Sequence, residues 1–222
     1  MLEKLTQLLK ITPPKRWQIE DFCGIDQLHL GGIGATHKLL DGLSDGLSSH
    51  SYGLDIGCGL GGTGRLVWAK LGCSMIGLDL NTSYIEAAKL LNTNIHPAPK
   101  CQFVVGNSLH LPFQKESFDF VTSQHACMNI EQKGPLLKGL YQVLKPGGQV
   151  LMHEVMLQPE ATQTDVIYPT AWANKKDESH LCTWAHFHDL ACDAGFEVAH
   201  FEDDTNAAVA WLQQTRATNS SP

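Results

Sequence analysis

Leu54–Arg65 reads LDIGCGLGGTGR, and the residue that decides its meaning is the acid near its start. A glycine-rich turn after a strand is a common nucleotide cradle. Asp55 stands two residues ahead of Gly57, the first glycine of the turn. A dinucleotide brings an anionic pyrophosphate, which a fixed carboxylate at that point repels. The carboxylate suits a ligand that presents cationic groups to the strand end, and S-adenosylmethionine, with its sulfonium and α-ammonium, has that charge. Spacing alone leaves both ligands open. Gly57, Gly59 and Gly62 also satisfy G-x-G-x-x-G, and Asp79 follows about where the ribose-binding acid of a dinucleotide fold lies.

The surrounding chain has 222 residues, 43% of them hydrophobic, as expected for one globular domain with a full core. No apolar run approaches the roughly 20 residues that span a bilayer. The start, MLEKLTQLLKITPPKRW, carries an early Glu3 and a broken apolar pattern. It reads as a short amphipathic helix stopped by Pro13 and Pro14, and not as a secretory signal. Seven cysteines without C-x-x-C spacing fit a reducing, cytoplasmic setting. A net charge of −7, with no extended Lys/Arg cluster, disfavours nucleic acid as a partner. Of the eleven histidines, His186 and His188 are the closest pair, and two positions apart on a helix they face different ways, so no metal site is expected.

From residue 52 onward, short β-rich runs alternate with helical stretches, the pattern of a doubly wound α/β fold: a mostly parallel, Rossmann-like sheet with helices on both faces. Strands are expected at 52–56, 74–80, 102–106, 118–123, 149–154 and 196–201. Helices are expected at about 63–71, 83–91, 134–144 and 183–194, the last closed by Gly195. Residues 1–50 precede this core, with a glycine-containing loop at Asp26–Gly32 and a helix over about 35–43; they are expected to form a helical cap over the carboxyl edge of the sheet. The core then spans 51–216, and 217–222 reads as a disordered polar tail.

Four stretches together resemble the class I S-adenosylmethionine-dependent methyltransferases: LDIGCGLGGTGR, the acid ending MIGLDL, SFDFVTSQHACMNI, and VLKPGGQVLMHE. The likeness runs from about Asp26 to Trp211 and is nearest the small-molecule branch that includes the sarcosine/dimethylglycine, phosphoethanolamine and quinone-precursor enzymes. It implies S-adenosylmethionine as cofactor and a small-molecule methyl acceptor. Asp55, Gly57 and Gly59 would hold the methionine moiety, with Gly61 and Gly62 letting the backbone approach it closely. Asp79, with Leu80 beside it, would take the ribose hydroxyls, a bidentate task suited to a carboxylate. Asn107, Ser108 and Leu109 match the adenine-contacting turn, Asn107 accepting from the exocyclic amine through its amide oxygen. Ser123 and Gln124 would sit beside the transferable methyl.

The acceptor side departs from the family pattern. His125 stands where betaine-type relatives commonly have Asp, and Asn129 where they commonly have His. The chain after Trp211 is also too poor in apolar residues for the seventh strand that most relatives insert beside the fifth. The sixth strand would then pair with the fifth directly, or a partner chain would complete the edge, so a homo- or hetero-oligomer is expected.

An amine or phenol acceptor that arrives protonated needs a base, and histidine is the natural one near neutral pH. His125, at the carboxyl end of the fourth strand, is the first candidate and His29, in the amino-terminal loop, the second. His153 and Glu154 end the fifth strand at the same rim, where alternation lets only one face the pocket. Tyr168 and Trp172 could form an aromatic box for a methylammonium, and Asn129 lies nearby as a further substrate contact. The leading reading is methyl transfer to an amine nitrogen. C- or O-methylation of a quinone-like ring, a non-catalytic cofactor-binding subunit, and a nicotinamide oxidoreductase are the alternatives.

Overall fold

The computed structural model describes residues 17–219. The amino-terminal helix expected before Pro13 lies outside them. Five strands form one parallel sheet: β1 (Tyr52–Ile56), β2 (Ser74–Asp79), β3 (Cys101–Val105), β4 (Phe118–Gln124) and β5 (Leu144–His153), in the order β3-β2-β1-β4-β5. The order reverses between β1 and β4, and such a switch point opens a crevice at the carboxyl ends of the strands.

Alternation along the strands builds two cores. Met75, Phe103 and Phe120 face one side with Leu66 and Val67 of α2 (Gly62–Leu71). Leu54, Ile76, Leu78 and Val121 face the other with Leu136, Leu137 and Leu140 of α4 (Lys133–Val143). Helix α1 (Gly32–Asp41) precedes the sheet, and α3 (Thr82–Asn94) links β2 to β3. The Asn81 side chain caps α3 by accepting from the backbone amides of Ser83 and Tyr84. Helix α5 (Trp184–Ala194) starts on the Thr183 hydroxyl and ends at Gly195 with φ +104°, as the sequence reading has it.

Two expectations fail at the carboxyl end. Residues 196–201 form no strand, although their aliphatic and aromatic alternation reads as one. Phe196 instead packs edge-on against Tyr141 at 5.3 Å, and Phe201 stacks on Trp184 at 4.1 Å. These contacts use up the segment's aromatic rings on α4 and α5, and β5 is left as the outermost strand. The chain then forms α6 (Thr205–Asn219), so the expected tail is helical through Asn219. Asp203 accepts from the Thr205 amide at 2.9 Å, and Lys38 of α1 meets Glu202 at 2.7 Å. Trp211 of α6 lies against Gly32, where an added Cβ would sit 3.5 Å from the indole. All seven cysteines are free thiols, and no described helix is long and apolar enough to cross a membrane.

Candidate active site

A cavity of about 880 Å³ opens at the switch point, toward the upper end of the roughly 300–1,000 Å³ usual for small-molecule sites. On the β2 and β3 side it is walled by Asp55, Gly57, Gly59, Asp79, Tyr84 and the 106–109 turn. On the β4 side it is walled by His125, Met128, Asn129 and Ile130, with Leu28–Leu30, Trp172 and Trp211 closing over it.

Asp55 ends β1 almost wholly buried, at 2% exposure. One carboxylate oxygen accepts from the Thr122 hydroxyl at 2.8 Å, and Oδ2 has no partner. Burial pushes its pKa up to about 7, against the pull of the Thr122 hydroxyl; the Asp79 carboxylate adds to the rise and Arg65 opposes it. A buried, unpartnered acceptor costs free energy, and a cationic N–H donor entering the cavity would relieve it. The residues therefore fit a ligand with an ammonium group. Asp79 accepts from the amides of Gly59 (2.9 Å) and Asn81 (2.8 Å), which fixes the carboxylate at the cavity wall with lone pairs to spare. Leu80 is 72% exposed and lines the cavity, as do Ser108 and Leu109.

Several expected roles are corrected by the geometry. Gly61 does not line the cavity; at φ +79° it begins α2, and a Cβ there would lie 2.3 Å from the Phe103 ring. A Cβ on Gly62 would meet Gln27 Nε2 at 2.2 Å, so these two glycines admit the protein's own side chains and not a ligand. Asn107 lines the cavity as expected; its amide oxygen accepts from the Leu109 amide at 2.9 Å, which shapes the turn and leaves a second lone pair. Ser123 donates to Glu154 at 2.9 Å and does not line the cavity. Gln124 keeps its place on the cavity wall; its amide nitrogen donates to the hydroxyls of Thr36 (3.1 Å) and Thr63 (2.9 Å), and its Oε1 has no partner. Tyr168 is absent from the wall, so no two-ring box forms with Trp172; Trp211 lines the cavity instead.

Three imidazoles meet at the β4 rim. His125 and His153 have ring centroids 4.9 Å apart, and His29 lies 5.8 Å from the first and 6.0 Å from the second. His29 and His125 line the cavity; His153 stands behind them. His125 takes a left-handed backbone, φ +51°, and its amide donates to the His153 carbonyl at 2.8 Å. Burial first, then its two neighbours, push its pKa down to about 3. Its ring is neutral near pH 7, and so poor a proton holder serves as a hydrogen-bonding group better than as a base. His29 is also committed: Nδ1 is 3.1 Å from the Leu30 carbonyl, and Nε2 is 3.1 Å from Gln27 Oε1 and 3.0 Å from Thr36 Oγ1. Among the described residues no group of three His, Cys, Asp or Glu side chains has the geometry to hold a metal ion.

Two charged groups hold this rim: Glu154, which the sequence named together with His153, and Lys133, which it did not. Glu154 accepts from the amides of Ala126 (3.4 Å) and Cys127 (3.0 Å), and burial pushes its pKa up to about 7. Lys133, 6% exposed, donates to the carbonyls of Cys127 (3.0 Å), Ile130 (2.7 Å) and His180 (2.6 Å). Its place three and four residues ahead of Leu136 and Leu137, on the buried stripe of α4, is the sequence signal that could have found it. Asn129 donates to the carbonyls of Trp172 and Glu178, both at 2.9 Å, and so ties the 172–178 loop to the rim.

Residues 54–152 match a family model described as a methyltransferase domain. The sterol 24-C-methyltransferase of Kluyveromyces lactis is 29% identical over 131 residues, which are 59% of this chain and 35% of that protein. Phosphoethanolamine N-methyltransferase 3 of Arabidopsis thaliana is 29% identical over 185 residues, 83% of this chain and 36% of that one. The chain thus spans about a third of the length of these curated relatives. Among solved structures, Haemonchus contortus phosphoethanolamine N-methyltransferase 2, in complex with S-adenosyl-L-methionine, superposes with a TM-score of 0.75 at 23% identity, covering 90% of this chain and 45% of that one. That likeness speaks for the fold.

Proposed function

We propose that this chain is a class I S-adenosylmethionine-dependent methyltransferase and that it methylates a small molecule at an amine nitrogen. Its cofactor is S-adenosylmethionine, which when bound supplies a methyl group already activated on a sulfonium. The observation that carries the reading is the buried Asp55 carboxylate with an unpartnered oxygen at the cavity wall. In this reading Asp55, with the backbone of Gly57 and Gly59, holds the cofactor's amino-acid end. Asp79 takes the ribose hydroxyls, and the Asn107–Leu109 turn takes the adenine.

The chain's remaining task is alignment and exclusion of water, since effective molarity alone can supply about 7–11 kcal/mol of a barrier. His125 orients the acceptor by hydrogen bonding from its neutral ring. Leu28–Leu30, Trp172 and Trp211 cover the reacting atoms. A second reading, C- or O-methylation of a quinone-like ring, draws support from the apolar residues on the acceptor side, Leu28, Leu30, Met128 and Ile130. A screen of amines, phenols and quinols with labelled cofactor, read for methylated product and S-adenosylhomocysteine, tests both. Turnover of an amine supports the first reading, and turnover confined to ring acceptors replaces it with the second.

A further inference from the structure

The charges around the cavity are one-sided. Among the described residues that line it, the formally charged ones are Asp26, which Arg65 neutralises, and Asp55, Asp79 and Glu131, with no lysine or arginine. Three cations packed elsewhere in this part of the fold are already committed. Arg65 has no solvent exposure and pairs with Asp26 at 2.9 Å. The Lys133 ammonium points its three donors at three carbonyls. Lys38 lies between Glu202 and Asp204, at 2.7 and 2.5 Å. The amino-terminal end of α4, whose dipole favours an anion, is preceded by Glu131, which lines the cavity.

The rest of the acceptor side is apolar or aromatic. Leu28 is 53% exposed, and Leu30, Met128, Ile130, Trp172 and Trp211 complete the wall. The imidazoles there are held neutral, His29 by burial and His125 by burial and its two imidazole neighbours. An anion entering such a space loses hydration and finds no counter-charge on the described protein wall. An apolar body gains from the same wall, and a cation gains further from indole faces and carboxylates.

We propose that the acceptor side of the cavity selects molecules without an anionic group. Its occupant is an uncharged or cationic small molecule with an apolar body, and not an amino-acid carboxylate or a phosphate monoester. This rests on the reading of the cavity as the S-adenosylmethionine site and narrows the acceptor class within it. The selection extends to both amine and ring acceptors, because it concerns the presence of an anionic group anywhere on the molecule and not the identity of the receiving atom.

Calorimetry tests it on the full chain saturated with S-adenosylhomocysteine, so that binding is read without turnover. The probes are matched pairs: 4-methylaniline against 4-aminobenzoate, and dimethylaminoethanol against dimethylglycine, with phosphoethanolamine as a phosphate-bearing amine. The uncharged or cationic member of each pair is expected to bind at least tenfold tighter than its anionic counterpart. Glu131→Lys, which places a cation at the exposed rim, is expected to narrow that ratio severalfold. Equal affinities, preference for the acids, or no binding by any non-anionic probe overturns the proposal. Failure to bind S-adenosylhomocysteine at the outset overturns the cofactor reading and this proposal with it. Tight S-adenosylhomocysteine binding with acid preference overturns this proposal alone.

Discussion

Arg65 and Asp26 form an ion pair 2.9 Å apart with both side chains wholly removed from solvent. The pair joins the segment ahead of the sheet to the helix that follows the glycine turn. Arg65 also donates to the Leu60 carbonyl within that turn, while its Nε and Nη1 lack partners. The cover over the cavity and the cofactor cradle are therefore one mechanical unit.

Removing one member of this pair strands the other as a buried charge. Asp26→Ala is expected to lower stability by about 3–5 kcal/mol, the usual cost of breaking a buried pair. A double replacement, Asp26→Leu with Arg65→Met, is expected to recover much of that loss. Urea unfolding of the three proteins measures both effects, and a loss under about 1 kcal/mol for Asp26→Ala would refute the assignment.

Asp55 makes stability fall with rising pH. Its pKa is about 7 in the folded chain against 3.8 ordinarily, so the folded state holds the proton more tightly. That contribution is fully present below about pH 4 and is lost as pH rises through about 7. His125 works in the opposite direction, with a pKa moved from 6.5 to about 3. Its contribution is present above about pH 6.5 and is lost as pH falls toward 3. Comparison with Asp55→Asn isolates the first effect: thermal unfolding without cofactor should show the parent losing ground to the variant between pH 4 and 7. A constant gap across that range would refute it.

In the proposed reading, ionised Asp55 is the form that receives the ligand's ammonium. Affinity for S-adenosylmethionine is expected to rise as pH increases toward 7 and to level off above it, by up to tenfold per pH unit on the rising limb. Titration calorimetry from pH 5.5 to 8.5 reads this directly, and a flat profile in the parent would exclude the pairing.

Asp79→Ala is expected to reduce cofactor binding below detection, since it removes the ribose acceptor and the anchor of the Gly59 and Asn81 amides together. Asp79→Asn, which keeps one acceptor oxygen, should retain weak binding. Near-normal affinity in the alanine variant removes Asp79 from the cofactor site.

His125→Ala is expected to lower turnover at least tenfold while leaving cofactor affinity within about threefold, the mark of an acceptor-side role. With the ring neutral throughout, the turnover profile of the parent should show no inflection near pH 6.5 that the variant lacks. Such an inflection would restore His125 as a general base.

The sheet and the cradle were legible because both are set by local pattern. LDIGCGLGGTGR declares its strand, turn and helix in twelve residues, and Asp55 adds the ligand's charge. The rim was less legible because its contacts are long-range. Nothing near Glu154 announces that it receives amides from residues 126 and 127, or that Asn129 ties down a loop more than forty positions later. The segment 196–201 misled for a related reason. Its alternation is that of a strand, but Phe196 and Phe201 pack on aromatic partners on two helices, and the backbone between them does not join the sheet edge. Helix α6 went unread because its composition is weakly amphipathic, although Asp203 before Thr205 is a recognisable start signal.

The cavity draws its two halves from different parts of the chain. Loops at the ends of β1, β2 and β3 face one ligand, while much of the opposite wall comes from residues 28–30, 172 and 211, which belong to no strand. Substitutions in these outer segments can retune which compound is accepted while the sheet and its glycine turn stay untouched. Such a division separates the outer wall from the pocket borne by the sheet, so that a change in one need not disturb the other.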